Sequence, residues 1–137
     1  MTDALAGDKW ICTTLLADGT LASTVGARVY TGIAPESTTY PAVIVDYVTG
    51  TAVTTAGLAR VVQDGLYQVR VVDAGETFAK CQVAIDRIRA LLHQASGTGG
   101  GGTVHMCSEE SELPHFAELI DGVEYRTMGH EFRIITN

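Results

Sequence analysis

The sequence predicts an α+β domain: one mainly antiparallel β-sheet with two α-helices packed on one face. Three observations predict it. After Phe78, the apolar residues Cys81, Ile85, Ile88 and Leu92 follow at steps of 3, 4, 3 and 4, the period of one helix face. Over Leu66 to Val72, Tyr67, Val69 and Val71 alternate with the polar Gln68 and Arg70, as in a half-buried strand. Ala42 to Thr49 is apolar on both faces, which predicts a central strand covered on both sides.

The elements follow in order. Asp3 to Ala17 is expected to form the first helix, with Leu5, Ile11, Cys12, Leu15 and Leu16 on one face and Asp18-Gly19 as its stop. Leu21 to Ala27 is a short irregular or one-turn helical link and Arg28 to Thr31 a short strand. Gly32 to Tyr40 is a loop containing Pro35, and Pro41 biases Tyr40 toward extended geometry. Past the central strand, Gly50 to Gly57 is rich in Thr, Ala and Gly and reads as a mobile arm. Leu58 to Val62 reads as a strand extension and Gln63-Asp64-Gly65 as a turn. Asp73 and Glu76 have the spacing of a capping box that opens the second helix, with Asp73 at its N-cap. A Gly-rich loop, Ser96 to Gly102, ends that helix. Thr103 to Glu109 reads as a strand, Ser111 to Phe116 as an irregular corner, and Val123 to Thr136 as a long strand begun by Asp121-Gly122. The alternation of the last strand changes phase near Gly129, which predicts a bulge.

Composition narrows the function classes. The 137 residues fit a single domain, 1–137, long enough to bury a core without disulfide or metal staples. Net charge is −7, and the nine basic residues are scattered, which argues against a module that grips phosphate backbones. No run approaches the roughly 18 apolar residues of a membrane span. The opening MTDALAGDKW lacks the basic and apolar regions of a signal peptide. Cys12, Cys81 and Cys107 are odd in number and far apart, so reduced, mostly buried thiols in a cytosolic protein are expected.

The candidates for chemistry are weak. GTGGGG leaves a helix and enters a strand with no following lysine, unlike a phosphate-binding loop. His105 and Cys107, expected on one strand face, with His115 and His93 further off, lack the paired spacing of a structural zinc site. Glu109 and Glu110 would raise the Cys107 thiol, the wrong direction for a nucleophile. The cluster Glu109, Glu110 and Glu112 reads as a solvated edge or a contact for a basic partner. No catalytic, cofactor-binding or metal-binding residue is therefore assigned, and no cofactor is expected. The profile is that of a protein that assembles rather than reacts.

The order of elements, with Arg28, Val29, Tyr30, Ala34, Pro35, Tyr40, Pro41 and Val43 in an R-V-Y-x-x-x-A-P-…-Y-P-x-V unit, resembles the tail-terminator and tail-completion family of long-tailed bacteriophages and gene-transfer particles. The alternating strand Leu66 to Val72 running into the amphipathic helix after Asp73 resembles that family too. The resemblance implies a virion protein, not an enzyme: a hexameric ring that caps the head-proximal end of the tail tube, ends its polymerisation and offers a head–tail joining surface. It implies as partners other copies of the chain, the major tail tube protein and a head–tail connector or stopper protein. Genomic DNA would pass through the lumen without sequence-specific binding, and no membrane is involved. The alternatives are a connector or neck protein of the same particle and a small-molecule-binding domain.

Overall fold

The computed structural model describes residues 6–54, 60–99 and 102–136. Among the described residues three helices, not two, pack with seven strands. They are α1 (Ala6–Leu16), α2 (Gly19–Val25), β1 (Val29–Thr31), β2 (Ala42–Thr54), β3 (Arg60–Ala74), α3 (Ala79–Leu92), β4 (Ala95–Gly99), β5 (Gly102–Glu112), β6 (Phe116–Ile120) and β7 (Val123–Thr136). The single sheet has the order β1-β2-β3-β7-β5-β4, with β6 also paired to β7. It is mainly antiparallel, as expected, but not purely so: β1 runs parallel to β2 while every other pair is antiparallel.

The expected link after the first helix is itself a helix. Asp18 is the N-cap of α2, accepting from Leu21 N at 2.8 Å, so Gly19 opens a helix instead of closing one. Arg87 of α3 donates to both Asp18 oxygens at 2.8 and 2.9 Å. That hydrogen bond first, and the Leu21 amide second, lower the Asp18 carboxyl to about 2. The α1 face differs as well: Trp10, Ile11 and Leu15 are buried, while Leu16 is exposed. Leu5 lies outside the described residues.

The apolar stripe of α3 is where its spacing puts it. Cys81, Ile85, Ile88 and Leu92 are buried, with Ala84 beside them. They share one core with Leu21 and Val25 of α2 and with Val43, Val45, Tyr67, Val69, Val71, Met128, Phe132 and Ile134 of the sheet. All three helices therefore cover the same sheet face. The capping box does not form. β3 continues to Ala74, which pairs with Tyr125, so Asp73 is a strand residue, and Phe78 precedes the first turn with no side-chain cap.

Two hairpins are longer than the sequence reading allows. Gln63-Asp64-Gly65 is not a turn, because β3 passes straight through it opposite Gly50 to Ala52 and Ile134 to Thr136. The expected arm is strand as far as Thr54, and residues 55–59 lie outside the description. The glycine-rich run is likewise mostly strand: Ala95–Gly99 pairs back on β5, and residues 100–101 lie outside the description. Ala42 to Val45 is buried on both faces, but β2 is exposed from Tyr47 onward, where β1 no longer flanks it.

The expected bulge at Gly129 is absent on the β3 side, where the pairing runs unbroken from Gln63↔Thr136 to Ala74↔Tyr125. The phase change has another cause. At this point β7 exchanges its second neighbour: β6 pairs with Val123 to Thr127 and β5 with His130 to Thr136. Gly129 sits at the exchange, where a Cβ would come within 2.6 Å of Val69 O and 2.8 Å of Leu113 Cδ1.

Candidate assembly surface

The residues singled out for chemistry do not converge. A register shift between Val104 and Met106 places two β5 residues against one step of β7, so His105 turns to solvent and Cys107 into the core instead of sharing a face. Burial alone, rather than Glu109 and Glu110, pushes the Cys107 thiol up to about 12. Burial first and then Asp73 raise Cys81 to about 11. His93 accepts the Glu109 backbone N–H at 3.1 Å, and His115 pairs with Glu112 at 2.7 Å. No group of three metal-ligating side chains occurs among the described residues.

The acidic cluster is paired internally rather than left open to a partner. Glu109 binds Arg89 at 3.0 Å and lies 2.9 Å from His130 Nδ1, and Glu110 meets Arg133 at 3.2 Å. On the uncovered sheet face the charges form a ladder across the strands: Asp46 with Arg70 and Asp64 with Arg133, each at 2.8 Å. Such half-exposed pairs contribute about 0.2–1 kcal/mol each and chiefly favour one register.

The unsatisfied features lie on the rim. β6 is exposed at all five residues and pairs on one edge only. Asp121 and Gly122 both take positive φ, 50° and 79°, which turns β6 tightly into β7. Leu119 is 72% exposed at this hairpin, and Phe116, Ile120 and Val123 are exposed too. Glu118 and Asp121 flank them, and Glu124 reaches only Arg126, at 3.6 Å. At the opposite end of the sheet, β1 pairs with β2 alone among the described strands. Beside it, Lys9, Cys12, Val29, Tyr30, Thr31, Ile33 and Pro35 line a groove between α1 and β1. Ile33 there is 83% exposed. The distal β2–β3 hairpin adds exposed Tyr47, Val48 and Val53.

The sequence reading missed β6 because it took Ser111 to Phe116 for a corner. The corner shrinks to 113–115. Asp-Gly between two runs containing Leu119, Ile120, Val123 and Tyr125 was the available hairpin signal.

Charges paired within the subunit and strand edges left open at β1 and β6 give the surface of a building block. The chain belongs to the tail completion protein gp17 family, whose model matches residues 9–111. It is thus a structural protein of a phage-type virion tail. Among solved structures, a chain of a particle described as "Virion of native gene transfer agent (GTA) particle" shares the fold, with a TM-score of 0.69 at 18% identity over 98% of this chain and 94% of that one. Comparison with the curated proteins gave no match.

Proposed function

We propose that the chain closes into a ring, of six copies as the family resemblance implies, on the head-proximal end of the tail tube. There it ends tube polymerisation and presents the joining surface to a head–tail connector. The match to the tail completion family over residues 9–111 carries this reading. The geometry supports it. A ring built from one chain needs two different, complementary patches on each subunit, and the open edges at β1 and β6 differ. A net charge of −7 lets DNA pass a lumen without being held. The protein performs no chemistry in this reading; its activity is to occupy a tube end and stop further addition.

Light scattering of the purified chain, followed by negative-stain imaging with tail tubes, tests the reading. Rings in solution or rings at one end of each tube are expected. A chain that stays monomeric and leaves tube ends bare, or that binds connectors but never tubes, overturns it in favour of a head-side component.

A further inference from the structure

We infer that neighbouring subunits join edge to edge. The β6 strand of one copy lies along β1 of the next, with Leu119 seated in the α1–β1 groove and Glu124 facing Lys9. The inference rests on the ring reading above and names its contact.

Strand direction permits it. β3 is antiparallel to β2, β7 to β3 and β6 to β7, so β6 runs opposite to β2 and to its parallel neighbour β1. Copies related by a ring rotation therefore bring β6 and β1 together antiparallel, from opposite sides of the central β2-β3-β7 strands. A contact of one edge with a different edge propagates and can close, whereas β6 meeting β6 would stop at a dimer.

Side-chain facing agrees. On β7 the even-numbered residues Met128, Phe132 and Ile134 point into the helix-covered core, so Glu124 falls on that side. Leu119 pairs with Glu124 and shares its side. On β1, Val29 packs against the same core, and α1 supplies Lys9 and Cys12 to the groove above it. When two sheets continue edge to edge, their covered sides align, so Leu119 arrives at the groove and not beneath it.

The charges are complementary. The hairpin carries Glu118, Asp121 and Glu124 around its apolar residues. Lys9, like Lys80 on α3, is exposed with no ion-pair partner among the described residues, and it is the basic residue that lines this groove; Arg70, Arg87, Arg89, Arg126 and Arg133 are paired within the subunit. The exposed Leu119 and Ile33 supply apolar surface to either side of the contact.

The groove's own thiol provides the test. Cys12 is half-buried, and Cys81 and Cys107 are buried. The full-length Leu119→Cys chain, treated with a short bismaleimide under assembling conditions, is expected to yield a covalent ladder beyond dimers on a denaturing gel. Leu119→Cys combined with Cys12→Ser abolishes the ladder. Separately, Lys9→Glu raises the concentration needed for assembly about tenfold, and adding Glu124→Lys restores it. Rings without a ladder, or cross-links that stop at dimers, overturn the contact and leave the ring reading standing. If the unmodified chain assembles neither alone nor on tail tubes, both fall.

Discussion

One strand, β7, contains two contrasting halves. From His130 to Thr136 it lies between β3 and β5 under the helices, and Phe132 and Ile134 are fully buried. From Val123 to Arg126 it pairs with β6, and the apolar residues of that hairpin face solvent. Both halves are rich in β-formers, so propensity does not separate them. Coverage does. Apolar surface that the subunit's own helices cannot reach is surface left for another molecule.

The sharpest way to break the contrast is to place a charge under the helices. Ile88→Asp buries a carboxylate with no partner, at a cost above about 5 kcal/mol, enough to unfold the chain. A cooperative melt at the unmodified temperature would show that α3 does not cover the core. Phe132→Ala is the next largest effect, about 3–5 kcal/mol of stability lost in urea unfolding.

A smaller effect comes from inside the covered half. Asp8 is only 7% exposed and its Oδ1 meets no donor. Burial first, and Asp46 second, raise its carboxyl from 3.8 to about 6. The folded chain thus holds this proton more tightly than the unfolded chain does. Ionised Asp8 costs stability above pH 6, and that cost vanishes as pH falls below 4. Asp8→Asn is expected to gain about 1–2 kcal/mol near pH 7.5 and to flatten the slope between pH 4 and 6. Urea titrations at three pH values read both. An unchanged slope would mean that another group carries it. Smallest of all, Leu119→Ala changes monomer stability by less than about 0.5 kcal/mol. A loss comparable to that of Phe132→Ala would place the hairpin in the core and erase the contrast.

The sequence showed most where local period and burial coincide. The α3 stripe, the Tyr67–Val69–Val71 face and the family unit around Tyr30 and Pro35 were readable because each depends on neighbouring residues alone. What it hid depends on distant partners. Asp73 sits ahead of a helical stripe at capping distance, but β7 extends β3 past it. The turn signal at Gln63-Asp64-Gly65 is overridden by strands on both sides. The phase change at Gly129 was visible, but its cause, the exchange of β6 for β5, was not. The rim was hardest to read, because an exposed apolar strand such as Phe116 to Ile120 departs from the in–out pattern by which strands are found.

The central pairing of β3 with β7 also bears on how the chain folds. A helix and three strands separate these two neighbours in sequence, yet theirs is among the longest ladders in the sheet. Until β7 is in place, β3 has no neighbour on that side, and neither β5 nor β6 is tied to the rest of the sheet. Loop closure must precede the pairing that rewards it, so folding is slow for a chain of this size and nearly all-or-none. A subunit that completes its sheet late displays the β6 edge only once it is whole, and half-made chains have nothing correctly shaped to offer a growing assembly.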